Sequence, residues 1–128
     1  MREILFRGKR VNNGEWVEGF IVPRSLLIDP NYLNAFWIAT GFEDECYAVD
    51  QNTIGQYTGL KDKKQKRIFE GDVLRVEQDH AFTHHTVEYQ CEYDYPAFEI
   101  SPKIECECNT LQYAIIELEC EVVGTIHN

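Results

Sequence analysis

In the last third of the chain, acidic or amide and apolar residues alternate one for one. Val87, Tyr89, Cys91 and Tyr93 interleave with Glu88, Gln90 and Glu92. Ile104, Cys106 and Cys108 interleave with Glu105 and Glu107, and Ile116, Leu118, Cys120 and Val122 with Glu117, Glu119 and Glu121. Successive side chains of a strand leave on opposite faces, so this period gives each segment one apolar and one acidic side. The pattern predicts half-buried strands in antiparallel sheets. A hairpin through Asn109–Tyr113 would gather the carboxylates of the last two segments on one exposed patch with no lysine among them.

The rest of the chain reads the same way. Asn13-Gly14, between arms at Ile4–Val11 and Trp16–Val22, predicts a hairpin closed by a two-residue type I′ turn, which needs positive φ at both positions. Pro23 ends the second arm, because proline cannot donate to a ladder. Ser25 with Leu26–Ile28 suggests a short helical turn broken at Asp29-Pro30-Asn31. Ala35–Ala39 reads as a buried strand, and Glu43-Asp44-Glu45 as a solvated loop. Ala48-Val49 and Thr53–Leu60 read as extended, followed by a basic loop, Lys61–Arg67. Ile68-Phe69 is extended again, Glu70-Gly71-Asp72 turns, and Val73–Val76 is a strand. No long helical period or repeat interrupts this. The fold class is mainly β, in antiparallel sheets with little helix, as one domain over 1–128.

Composition narrows the setting. The chain has 128 residues, 44% of them hydrophobic, enough to bury a core without metal or disulfide support. Residues 1–75 are charge-balanced, and the whole excess of −10 lies in residues 76–128, where Lys103 is the one basic residue. Five cysteines are an odd number, against a complete disulfide framework. Cys91, Cys106, Cys108 and Cys120 fall on apolar strand faces and read, with Cys46, as reduced core residues. No apolar run is long enough to span a bilayer, and MREILFRGKR lacks a secretory apolar region, so the expected location is the cytoplasm.

Several segments resemble the YopX family of phage- and prophage-encoded proteins. They are FRGKRVNNGEWVEGF (6–20) and TIGQYTGLKDKKQKRIFEGDVLRV (53–76), with weaker support from VEYQ (87–90), AFEI (97–100) and VVGTIHN (122–128). Family members usually place Asn-Gly after the LKDK element, where this chain has Lys64-Gln65. The resemblance implies a mostly β fold with a small SH3-like barrel element, and it supplies no active-site residues to carry over.

Four features invite a functional reading. His80, His84, His85 and Cys91, with Cys106 and Cys108, could suggest zinc. Cys-x-Cys on a strand points both sulfurs inward, however, and His84-His85 reads as exposed loop, so no metal or cofactor is expected. Glu70 and Asp72 could be paired carboxylates, but Gly71 between them is ordinary turn chemistry. Lys61, Lys63, Lys64, Lys66 and Arg67 could contact nucleic-acid phosphates with Tyr57 stacking a base, or form a solvated hairpin tip that discourages edge pairing, with Tyr57 packed. Glu88, Glu92, Glu105, Glu107, Glu117, Glu119 and Glu121 could be a solvated face or attract a basic partner.

No catalytic motif competes with these readings. The expectation is therefore a non-enzymatic phage or prophage accessory protein that binds a host or phage protein, a basic one if the acidic face is used. The alternative is a nucleic-acid-associated module using loop 61–67. Membrane association is not expected, and homo-oligomerisation is left open.

Overall fold

The computed structural model describes residues 4–22, 36–40, 45–92, 95–102 and 109–127. The expected helical turn at Ser25–Ile28, the acidic loop 43–44 and the strand 104–108 lie outside them. The chain divides into two compact units, Met1–Tyr57 and Thr58–Asn128.

The first unit holds β1 (Phe6–Lys9), β2 (Trp16–Val22), β3 (Phe36–Ala39), β4 (Cys46–Val49) and the start of β5 (Gly55–Lys61), in the order β4-β3-β2-β1-β5. The described pairings among them are antiparallel. Their alternation buries Ile38 and Val49 completely on one face. The other face carries Lys9 and Arg7, stacked 5.4 and 4.5 Å from the Trp16 ring. The β1–β2 hairpin forms as expected but with a longer connection. Lys9 faces Trp16, and the Gly14 N–H reaches the Arg10 carbonyl at 2.9 Å. Only Gly14 has positive φ (71°), so this is not a type I′ turn. The Asn13 side chain instead accepts the Glu15 N–H at 3.0 Å, which fixes the loop locally. A single bridge, Arg10 to Val49, brings the end of β4 back to β1. Among the described residues the sheet stays open and no closed barrel forms.

The second unit continues β5 and adds β6 (Arg67–Phe69), β7 (Asp72–Gln78), β8 (Ala81–Glu92), β9 (Tyr95–Ser101), α1 (Thr110–Glu117) and β10 (Glu119–Thr125). Its main sheet is antiparallel in the order β10-β7-β8-β9. Leu74, Val76, Val87 and Ile100 fill one side of it, with Cys120 and Val122 from β10. Helix α1 closes this core with Leu111 and Ala114, and Ile115 and Leu118 pack beside them. Those spacings of three, four and seven are a helical stripe.

The helix corrects the expected strand over 116–122 and the hairpin through Asn109–Tyr113. Asn109 is the N-cap, its side chain accepting the Gln112 N–H at 2.9 Å. Ile116, assigned to the core from the alternation, is 71% exposed. The alternation holds only from Glu119, where Cys120 and Val122 point inward. At Glu70-Gly71-Asp72 the turn reading stands: Gly71 has φ 91°, and buried Asp72 accepts the Phe69 N–H at 2.8 Å.

His84-His85 is likewise strand rather than exposed loop. Asp79 and His80, with φ of 52° and 65°, form the two-residue turn joining β7 to β8. His85 is buried, with Nδ1 against the Pro102 carbonyl and Nε2 2.7 Å from the Thr83 hydroxyl. A carbonyl only accepts, so Nδ1 carries the hydrogen in this arrangement.

Candidate protein-binding face

The register of the second sheet fixes which side chains share its outer face. Glu119 lies opposite Glu77, and Glu121 opposite Arg75. Glu77 lies opposite Phe82, and Arg75 opposite His84. Glu88 lies opposite Glu99. Directly opposed residues of an antiparallel pair project to the same side, so these form one continuous surface. At its centre the Arg75 guanidinium sits 3.7 Å from the ring centroid of Phe82, which is 50% exposed.

The acidic stripe therefore exists in part, with different members. Glu88, Glu119 and Glu121 are on the face, joined by Glu77 and Glu99. Glu117 is at the end of α1 and not on a strand. The side chain of Glu92, and residues Glu105 and Glu107, lie outside the described residues. Glu99 is occupied: its carboxylate accepts from the Thr110 N–H at 2.8 Å, the Thr110 hydroxyl and the Asn109 side-chain amide. A carboxylate at the helix N-terminus is favourably placed against the helix dipole.

The lysine-free patch is overturned. Lys63 Nζ lies 3.6 Å from Glu119, and Lys64 Nζ 2.7 Å from Glu121. The two features read separately from the sequence, basic loop and acidic stripe, are thus paired with each other. The hydrogen bond and charge of Lys64 hold the Glu121 carboxyl below its ordinary pKa, and Glu121 in turn raises that of Lys64. Within the loop Lys61 and Lys66 are exposed and Arg67 is half-buried, while Tyr57 is buried in place of offering a stacking surface.

What organises the loop is its one acid. Asp62 is 3% exposed, and one carboxylate oxygen accepts the N–H groups of Lys64 and Lys66, each at 2.9 Å. The other oxygen accepts the Val122 N–H at 2.9 Å, and the Lys63 N–H reaches the Cys120 carbonyl at 3.2 Å. The loop thereby caps the outer edge of β10. The opposite edge is capped in the same manner. There the Asn109 amide donates to the Phe98 carbonyl at 2.9 Å, and the Thr110 hydroxyl accepts the Ile100 N–H at 3.1 Å. Nothing in a KDKK string marks its aspartate as a buried organiser, and sequence reading missed it.

Cys120 is buried and free, and Cys46 is half-buried and free. Burial, then the nearby Asp62 charge, pushes the Cys120 thiol up to about 11. The side chain of Cys91, with Cys106 and Cys108, lies outside the described residues. Among the described residues no three His, Cys, Asp or Glu side chains converge on a metal-sized site, and no helix is long and apolar enough to cross a membrane.

A family model described as YopX protein matches residues 6–128, covering both units. The chain belongs to the YopX family. This YopX chain is also similar to the crystal structure of protein EF1440 from Enterococcus faecalis, with a TM-score of 0.55 and 22% sequence identity. The likeness covers 99% of this chain and 95% of that one, and at this identity it concerns the fold alone. None of the curated proteins matches the chain. The segment that carries the YopX resemblance most specifically, 53–76, supplies β5, the Asp62 loop, β6 and most of β7.

Proposed function

We propose that this YopX protein is a non-catalytic phage or prophage accessory protein of the bacterial cytoplasm. It binds another protein through the outer face of the β10-β7-β8-β9 sheet. The observation that carries the reading is the exposed Phe82 ring under the Arg75 guanidinium, 3.7 Å away, with Glu77, Glu119 and Glu121 around it. Aromatic and arginine side chains supply most binding energy in protein interfaces, and a polar rim around them confers selectivity. Because Lys63 and Lys64 occupy Glu119 and Glu121, charge alone gives a basic partner less purchase than a bare acidic face would. An apolar side chain docked on Phe82 must provide the affinity, with basic groups reaching Glu77.

The same pairing weakens the nucleic-acid reading, since two of the five loop cations already have carboxylate partners. Affinity capture from host lysate separates the two. The wild type should retain a protein that Phe82→Ser and Glu77→Lys lose, while the double variant Lys61→Glu/Lys66→Glu keeps it. Salt-sensitive recovery of nucleic acid, lost in that double variant and kept in Phe82→Ser, would reverse the order.

A further inference from the structure

Asn13-Gly14 is the one Asn-Gly pair in the chain, and it stands at the tip of the β1–β2 hairpin. Both residues are exposed, and beyond its chain neighbours nothing lies within 4 Å of where a Cβ on Gly14 would sit. An asparagine before glycine is open to attack on its own carboxamide, because no side chain shields the next backbone nitrogen. Asn12, Asn31, Asn34, Asn52 and Asn109 each precede a residue that carries a side chain.

The folded tip holds both reacting groups. The Gly14 N–H donates to the Arg10 carbonyl at 2.9 Å, and Asn13 Oδ1 accepts the Glu15 N–H at 3.0 Å. Attack requires the Gly14 nitrogen to give up its proton, and an N–H engaged with a carbonyl retains it. Arg10 is itself fixed from two sides. Its N–H reaches the Glu15 carbonyl at 2.8 Å, it bridges Val49, and the next N–H, of Val11, reaches the Ala48 carbonyl at 3.0 Å. Its carbonyl therefore stays against Gly14 until the tip opens locally.

We propose that Asn13 is a site of spontaneous deamidation whose rate is set by opening of the Arg10–Gly14 hydrogen bond. In the opened tip the Gly14 nitrogen, its proton lost to water, attacks Cγ of Asn13. The Cγ–Nδ2 bond breaks, and Nδ2 takes up a proton and leaves as ammonia. Water then opens the five-membered succinimide at either carbonyl. Hydrolysis at the side-chain carbonyl gives aspartate, which keeps an acceptor oxygen for the Glu15 N–H. Hydrolysis at the backbone carbonyl gives isoaspartate, whose main chain is one methylene longer. Gly14 then stands too far along the chain to meet Arg10 in the former register, and refolding cannot restore it.

The test ages the whole protein in mildly alkaline buffer, native and in urea, followed by peptide mapping that separates aspartate from isoaspartate. Product should collect at Asn13, and roughly tenfold or more slowly in the native protein than in urea. Hydrogen exchange at the Gly14 amide needs the same bond to open, so its protection should match that slowing. Asn13→Asp should keep the parent melting temperature, while the isoaspartate form should melt lower. Equal rates in native buffer and urea, or slowing unrelated to Gly14 protection, would overturn control by the hairpin. Product accumulating at other asparagines ahead of Asn13 in urea would overturn the site, and an isoaspartate form as stable as the parent would overturn the register argument.

Discussion

Asp62 and Val122 are 60 residues apart in sequence, and the carboxylate of the first accepts the N–H of the second at 2.9 Å. With Lys64 and Lys66 also donating to it, Asp62→Ala would leave three N–H groups without their acceptor. A loss of about 2–4 kcal/mol is expected in urea unfolding, because buried donors without partners are costly. Asp62→Asn, which keeps one acceptor oxygen, should lose less.

Gln65 adopts φ 67°, a left-handed conformation that costs a side-chain-bearing residue on the order of 1 kcal/mol. This is where YopX sequences usually carry Asn-Gly. Gln65→Gly should therefore stabilise the protein by roughly 0.5–1 kcal/mol, even after allowing for the greater freedom of glycine in the unfolded chain. Thermal unfolding of the single variant checks it, and a lower melting temperature would contradict the strain argument.

Gly14 and Gly71 should differ in their sensitivity to alanine. Both have positive φ, but a Cβ at Gly14 would meet nothing within 4 Å, whereas one at Gly71 would lie 3.1 Å from His127 Nε2. Gly14→Ala is expected to cost about 1 kcal/mol from backbone strain alone. Gly71→Ala should cost more, and equal losses in denaturant titration would show that the C-terminal chain yields freely.

The Lys64–Glu121 pair should leave a signature in pH and salt. Glu121 has a depressed folded-state pKa, so its contribution is present above the ordinary carboxylate value and is lost as the pH falls through the depressed one. Lys64 has a raised pKa, so its contribution is present below the ordinary ammonium value and is lost as the pH rises through the raised one. A Lys64→Met/Glu121→Gln double-mutant cycle should show coupling across the neutral range, decreasing at both extremes. Both side chains reach solvent, so salt should shrink the coupling as well. Coupling that salt does not alter would indicate a buried pair.

Cys120 should resist alkylation in the folded protein. Its thiol, raised from 9.0 to about 11, remains protonated at pH 8, and the thiolate is the reactive form. Brief iodoacetamide labelling followed by mass spectrometry should modify Cys46 ahead of Cys120, with Cys120 reacting on denaturation. The stabilisation linked to this shift is full below pH 9 and declines as the pH rises towards 11.

Much of the fold was legible from residue order. The Glu70-Gly71-Asp72 turn, the extended segments around it and the inward faces of Cys120 and Val122 all follow from local chemistry. Three parts were not. Leu111, Ala114, Ile115 and Leu118 form a helical stripe that overlaps the two-residue alternation of Ile116–Val122, and the capping side chain of Asn109 decides between the two periods. Asp79-His80 lacks the glycine or asparagine that marks a type I′ turn, so the sequence places the start of β8 too late. The partnership of Lys63 and Lys64 with Glu119 and Glu121 depends on a loop and a strand far apart in sequence, which no local pattern encodes.

The edge closure at Asp62 also has a consequence in time. Synthesis runs from the N-terminus, and β10 is the last of the described strands to be made. At ribosomal rates of about 5–20 residues per second, the 60 residues separating Asp62 from Val122 take roughly 3–12 s to add. During that interval the Asp62 loop has no strand to cap, and β7 is without its outer neighbour. A nascent chain of this protein that folds as it is made therefore passes through a stage in which β7 is an edge strand.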